Sequence, residues 1–406
     1  MINKRKIYWL IQISIIIIFI LLLFSCYFLK NFKNKSETYF KENTEMLQKS
    51  NISNEMRAIW VSFMDLDMKD TDYSENAFKN KFDKIIKDSK NLNINTLIVQ
   101  VRPFGDALYP SNIFPWSHIV AKTQGQNPNY DPLKYMVESA HKNNLKIHAW
   151  VNPFRIQKKN YPNALSEKNP FFNYQEDKII SIEDSKYYNP GYSEIRKMII
   201  DGIKEIITNY DIDGIQLDDY FYPKENENFD NICFNDYLSK VDKEQALTHN
   251  EWQNSNINIL VASIFNTIKS INPNISFGIS PEGNIDNDIK VGADVYTWCK
   301  FKGYIDYICP QLYFNFENPV LPFKKAVDTW KSIIKNENLK LYYGLGLYKA
   351  GSDFDNGTWK KSDDILLNQI KYAREKGCDG FMIFSYGYLN KPQTEKEIEN
   401  VMKVFN

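Results

Sequence analysis

Histidine is scarce in this chain. There are four, His118, His141, His148 and His249, and no two stand at the i, i+4 spacing by which a helix presents a pair to one metal. The five cysteines include no CxxC pair: Cys26 falls in an apolar run, and Cys233, Cys299, Cys309 and Cys378 are scattered. Neither a disulfide framework nor a zinc site is indicated, and no cofactor or metal is expected. No Gly-rich phosphate turn follows the first strand-like stretch, which runs into FMDLDMKD, so an open, doubly wound nucleotide-binding sheet lacks its signature. Excess positive charge is missing too. Six of the 50 basic residues lie among the first 35, where there is no acid, leaving 44 basic against 50 acidic groups, about −6, in the remainder. That is a poor match for nucleic acid. Nothing in the sequence speaks to oligomeric state.

What is present begins with a 23-residue apolar run, Ile7 to Leu29, broken by Gln12, Ser14, Ser25 and Cys26. At ~1.5 Å per residue it reaches across a ~30 Å hydrocarbon core. The expectation is an uncleaved transmembrane anchor over residues 1–29, since a cleaved leader has a shorter apolar stretch and a small-residue cleavage site. A lipoprotein signal at LFSC, Leu23 to Cys26, is the alternative; the bulky Phe24 and the continuing YFL count against it. Basic residues flank both ends, so the positive-inside rule is nearly silent on orientation. Residues 30–54 are polar, without Pro or Gly, and read as a stalk.

From residue 55 to 406 one theme repeats: a short β-rich apolar run, a loop, then apolar residues at helical spacing. Eight strand candidates stand out, at 56–63, 96–103, 146–153, 213–220, 276–283, 305–314, 340–348 and 379–388. The stretch ADVYTWCKF after the fifth is the least helix-like of the intervening segments. Strands alternating with helices imply parallel pairing through right-handed crossovers, and eight units match a closed (β/α)8 TIM barrel. Helix-to-strand connections such as NLNIN and NNL are short. Loops leaving early strands are long: Phe104 to Tyr130, Pro153 to Pro190 and Phe221 to Asn250. Those loops build the functional face of such a barrel, and long walls suit an extended substrate.

The stretch DIDGIQLDDYFYP, Asp211 to Pro223, ends a buried-looking strand with two adjacent carboxylates. Alternation places Gln216 and Asp218 on one face and Ile215, Leu217 and Asp219 on the other. With Ile215 and Leu217 against the helix ring, Asp218 points into the barrel mouth, and Asp219 is left to cap the turn, to position Asp218 or to act directly. The same parity turns Gln100 and Arg102, His148, Trp150 and Asn152, Ser280 and Glu282, and Cys309, Gln311 and Tyr313 inward. An ion pair with Arg102 is the structural alternative for Asp218, and a satisfied core position that for His148. No nucleophilic Ser or Cys sits beside an evident base. Paired carboxylic groups surrounded by amides and aromatics are what glycoside hydrolysis uses. Aromatics make up 15% of the chain, and Trp116, Tyr220, Tyr222, Tyr313 and Tyr386, which follow strand ends, are candidate sugar platforms.

RAIWVSF, QVRPFGDALYPS, DPLKYMVESAH, HAWVNPFR, YYNPGYSEIR, NYDIDGIQLDDYFYP, FGISPEGN and IDYICPQLY together resemble the glycosyl-hydrolase-like family ten proteins, once catalogued as a domain of unknown function. The resemblance spans about Met56 to Leu389. It implies a (β/α)8 barrel, glycan hydrolysis, peptidoglycan strands as substrate for some members, and action outside the cytoplasm. It also implies that Arg102, Asp106, Asn152, Arg155, Asp218, Asp219 and Gln311 belong to the site. Many members carry His at the position of Gln216 and an aromatic at that of Glu282, so Asp106 or Asp219 competes with Glu282 as the acid.

The expectation is therefore a membrane-anchored, extracytoplasmic, single-pass glycoside hydrolase acting on a cell-wall polysaccharide, with Asp218 as nucleophile or base. A non-catalytic glycan-binding barrel and a polysaccharide deacetylase are the alternatives.

Overall fold

The computed structural model describes Trp9 and residues 54–174, 176–223 and 228–405. The expected anchor and stalk, Trp9 and Asn54 aside, lie outside the described residues. Among the described residues no helix is long and apolar enough to cross a membrane.

Eleven strands follow in chain order: β1 Met56–Val61, β2 Thr96–Arg102, β3 Lys146–Val151, β4 Arg155–Gln157, β5 Ile179–Ile182, β6 Ser185–Tyr188, β7 Gly214–Leu217, β8 Ser276–Ile279, β9 Tyr307–Ile308, β10 Lys340–Gly346 and β11 Gly380–Phe384. Eight of them close a barrel in the order β1-β11-β10-β9-β8-β7-β3-β2, each neighbouring pair parallel. The principal helices between them are α1 Glu75–Asn91, α2 Pro132–Lys142, α3 Ser193–Asn209, α4 His249–Ile271, α5 Val295–Lys300, α6 Phe323–Ile333, α7 Ile365–Glu375 and α8 Glu395–Phe405. The fold is the expected (β/α)8 barrel.

Local chemistry sets the helix starts. The Ser74 hydroxyl accepts from the Ala77 N–H, and Asp131 accepts from the Lys134 N–H with Pro132 in the first turn. Thr248 and Glu251 form a reciprocal capping box at the head of α4. The ambiguous ADVYTWCKF contains the short helix α5, capped by Asp294 through the Thr297 N–H.

Two regions depart from the sequence-based expectation. The stretch 305–314 is strand only at Tyr307–Ile308, because Pro310 has no N–H to give a ladder. Beyond it, isolated bridges tie Gln311 to Glu282 and to Gly344. The long loop after β3 folds into its own antiparallel sheet, in the order β4-β6-β5, on the face where barrel strands end.

Alternation along the strands produces two apolar layers. Ile59, Leu97, Val99, Ile147, Ile215, Leu217, Phe277 and Ile279 belong to the layer under the helices. Ala58, Trp60, Ile98, Trp150, Tyr307, Cys309, Tyr342 and Met382 fill the lumen. His148 lies in that lumen, its Nδ1 3.0 Å from the Tyr307 hydroxyl, which donates to Gln216 Oε1 at 3.2 Å. Large lumen rings fit only because glycines oppose them: a Cβ on Gly278 would lie 2.1 Å from the Tyr307 ring, and one on Gly214 would lie 2.5 Å from His148 Nδ1. Gly278→Ala is expected to lower unfolding free energy by about 1–3 kcal/mol through overpacking. Denaturant melts of the two proteins check this; unchanged stability would contradict the packing described.

Candidate active site

Parallel pairing of β3 with β7 sets Trp150 beside Gln216 and Val151 beside Leu217, so the next residues outward, Asn152 and Asp218, stand together at the barrel mouth. Asp218 Oδ2 accepts from Trp150 Nε1 at 3.0 Å and from Asn152 Nδ2 at 2.9 Å. The Asn152 amide is oriented from behind, because its Oδ1 accepts the Arg155 N–H at 3.0 Å. Only 3% of Asp218 is exposed, and it lines a central cavity of about 190 Å3. Its side chain points into the mouth, as parity requires.

Asp219 departs from the parity expectation. Regular strand ends at Leu217, alternation ends with it, and Asp219 lines the central cavity beside Asp218. Its Oδ1 accepts from Gln311 Nε2 at 3.1 Å; the same Nε2 lies 3.1 Å from the Ser280 carbonyl oxygen. Burial, then the neighbouring Asp219 charge, push the Asp218 carboxyl up to about 7, against the opposing effects of the Arg155 charge and the Trp150 hydrogen bond. Arg155 is held at the rim by its Nε–H bond to the Pro103 carbonyl, 2.8 Å, with its guanidinium 4.9 Å from the Phe104 ring centroid and 5.2 Å from that of Tyr220.

The structure gathers Asn152, Arg155, Gln216, Asp218, Asp219, Tyr220, Gln311 and Tyr313 around the mouth. All but Asn152 line the cavity, and Asn152 reaches it through Asp218. Glu282 lies on an adjoining pocket of about 390 Å3, which shares Asp219 and Tyr220 with the central one. There Glu282 Oε2 accepts from Asn287 Nδ2 at 2.7 Å. Tyr222 also borders this second pocket, but 97% of it is covered and its ring packs on Phe229.

Other expected site residues lie elsewhere. A β-bulge between Gln100 and Arg102 pairs Arg102 with Val151, and one extra residue reverses its face. The Arg102 side chain turns outward onto the Phe114 ring, 4.4 Å from its centroid, and against Gly202 of α3; it neither lines the mouth nor pairs with Asp218. Asp106 is fully buried and takes a hydrogen bond from Gln124 Nε2 at 2.9 Å, with His118 Nδ1 at 3.3 Å, so it offers no carboxyl to a ligand in the mouth. His148 is buried below the cavity among lumen side chains, and burial lowers its pKa to about 4. Trp116 lines a separate shallow pocket with Ser111 to Pro115, and the Tyr386 hydroxyl is directed to Asp88 of α1 at 2.9 Å.

Trp150, which parity turned inward, also lines the mouth; Trp60, Phe63, Met64 and Phe384 line it, and Lys158 and Tyr187 the adjoining pocket, without having been singled out from sequence. Inward parity carried the signal for Trp150. Tyr187 and Lys158 come from the small sheet and its margin, which no sequence pattern announced. A larger surface groove, about 650 Å3, runs between α1 and α2, away from the mouth.

A closed parallel barrel whose mouth gathers buried and half-buried carboxyls, amides and aromatics defines the class of barrel proteins built like glycoside hydrolases. Residues 55–360 match the family described as Glycosyl hydrolase-like 10, and the chain belongs to that family. It is 35% identical over 362 residues to glycosyl hydrolase YngK of Bacillus subtilis, covering 83% of this chain and 69% of that one. To glycosyl hydrolase DigH of Escherichia coli it is 32% identical over 348 residues, 76% of each. Among solved structures, the glycoside hydrolase domain of PgaB (BpsB) from Bordetella bronchiseptica superposes with a TM-score of 0.59 at 10% identity, covering 86% of this chain and 99% of that one. That last likeness is one of fold.

The elevated Asp218 pKa has a stability consequence. A carboxyl that holds its proton more tightly folded than unfolded contributes stability below the ordinary carboxylate pKa, and the contribution is lost as pH rises toward about 7. Asp218→Asn is therefore expected to be more stable than the parent above neutrality, on the order of 1–3 kcal/mol, with the difference shrinking toward pH 4. Thermal melts across that range check the slope; a gap that widens in acid would contradict it.

Proposed function

We propose that the protein hydrolyses glycosidic bonds in a polymeric cell-wall glycan, with peptidoglycan strands as the leading substrate, and that Asp218 supplies the proton to the leaving oxygen. One observation carries the assignment: the mouth holds a covered carboxyl, Asp218, whose burial pushes its pKa up to about 7, beside a second carboxyl already hydrogen-bonded by an amide. A general acid works best with a pKa near the operating pH. Burial and the neighbouring Asp219 charge thus favour Asp218 as the acid, where sequence alone suggested nucleophile or base.

Asp219, anchored by Gln311, is the candidate for the charged partner that supports the developing oxocarbenium ion, while a carboxylate that attacks or activates water has to come from the opposite face of the sugar. Consecutive Cα atoms stand about 3.8 Å apart, so these two carboxyls approach a sugar from one wall. Glu282, in the adjoining pocket, is the candidate for a second direction of approach. Arg155, Tyr220 and Tyr313 offer a cation and ring faces to the sugars, and Trp150 and Asn152 keep the Asp218 carboxyl aimed into the mouth. The apolar run at residues 7–29 supports a single-pass membrane anchor, and a cell-wall substrate would put the barrel outside the cytoplasm. A glycan-binding barrel would share the aromatic walls but tolerate loss of Asp218, and a deacetylase would lose activity to chelators and release acetate.

Incubation of residues 55–406 with purified peptidoglycan, with product identification by mass, tests the reaction. Asp218→Asn is expected to lower the rate by about 100- to 10,000-fold; cleavage at the parental rate would refute the role. For the parent, kcat/KM should fall above about pH 7 as Asp218 loses its proton. A rate that climbs through that range would reverse the acid assignment. The anchor is checked separately, by whether the full chain partitions with membranes and resists extraction at high salt.

A further inference from the structure

The central cavity, about 190 Å3, is smaller than the ~300–1,000 Å3 usual for a small-molecule site. A polymer threading it must also rest on the rim. One rim sector carries an unbroken series of aromatic rings leading away from the carboxyls. Trp60 and Phe384 have centroids 5.9 Å apart, Phe384 and Tyr313 5.6 Å, Tyr313 and Tyr348 5.7 Å, and Tyr348 and Phe354 5.6 Å. The first three line the cavity; exposure runs from 2% at Trp60 to 50% at Phe354, at the outer end.

The turn that presents Phe354 is held firmly. Asp355 and Asn356 both adopt left-handed backbone, φ 51° and 58°, a conformation that Asp and Asn accept more readily than other side-chain-bearing residues. The turn is secured by the Asp355 carboxylate, which accepts from Trp359 Nε1 at 2.9 Å and pairs with Lys349 Nζ at 3.6 Å. Lys349 Nζ in turn donates to the Tyr313 carbonyl at 2.7 Å, tying the turn to the cavity wall. A large aromatic side chain is thus held half in solvent by a pinned turn, its ring edge-on to Tyr348 and 5.3 Å from Lys349 Nζ.

Position on the barrel gives this sector a direction. In the closed strand order β10, whose following loop carries Tyr348 and Phe354, stands four strands from β3 either way round, on the far side of the mouth from the small sheet and its Tyr187.

We propose that Phe354, with Tyr348 behind it, forms a distal sugar-binding subsite that stacks on a pyranose ring of a glycan several sugars long, making the protein selective for chains over short oligosaccharides. The proposal rests on the glycan-directed function above, and its test separates the two. The probes are the disaccharide and hexasaccharide of β-1,4-linked N-acetylglucosamine, titrated calorimetrically into the Asp218→Asn protein so that nothing is cleaved. Adding Phe354→Ala should weaken the hexasaccharide about three- to tenfold and leave the disaccharide unchanged, while Phe354→Trp should keep hexasaccharide affinity. An equal effect on both oligomers, no effect on either, or no hexasaccharide binding at all would overturn the subsite. Reducing-end release from peptidoglycan by the parent reads the hydrolytic function independently: Phe354-dependent binding without release would sink hydrolysis alone, and release without Phe354-dependent binding would sink the subsite alone. A melting temperature unchanged by Phe354→Ala confirms that the exposed ring does not support the fold.

Discussion

The site depends on the fact that two carboxyls share one strand end and only one of them is well covered. Asp218 loses solvent, gains a like charge next door, and receives three hydrogen bonds, from Trp150, Asn152 and the Tyr220 N–H, and the field of Arg155 in partial compensation. The opposing effects are of similar size: a hydrogen bond to a charged group contributes about 1.5–3 kcal/mol, and a nearby like charge at an effective dielectric of 20 costs up to about 4 kcal/mol at 4 Å. Burial decides the balance, and the carboxyl's pKa rises to about 7. The register of β3 against β7 makes this possible, because it sets Trp150 and Asn152 beside the carboxyl rather than one residue away on the opposite face.

Around that pair the fold divides its labour. Below the mouth the lumen is closed by rings and by the Tyr307, His148 and Gln216 contacts, with Gly214 and Gly278 giving those side chains room. Above it the loops carry the variable surface: a small antiparallel sheet on the β3 side and the aromatic sector after β10 and β11. Stability and recognition are thus built at different heights of the barrel, as the architecture generally arranges them. The lumen can be rigid while the walls fit a ligand.

Eight barrel strands were legible in sequence because each apolar run is followed by a helix-period segment, and both periods are strong. Parity was legible too, as Asp218, Gln216, Gln311 and Tyr313 show. It failed where strand geometry itself breaks. Arg102 sits after a bulge, which one extra residue makes and no local pattern advertises. Asp219 follows the last regular strand residue, so alternation has no force there. Asp106 looked available among loop residues, yet the loop folds back and encloses it with Gln124 and His118. Tyr386 follows a strand end as a sugar platform should, but its hydroxyl finds Asp88 on a helix distant in sequence. The first two failures are local breaks in strand geometry; those at Asp106 and Tyr386 came from contacts with residues further along the chain, which a single sequence does not reveal.

The most direct measurement is the ionisation of Asp218 itself. Carbon-13 labelling of aspartate carboxyls, with Asp218→Asn to assign the signal, gives its titration by NMR. A midpoint far above the ordinary carboxylate range, falling when Asp219→Asn removes the neighbouring charge, is the predicted result. A carboxyl that titrates near pH 4 and ignores Asp219 would contradict the account at its centre.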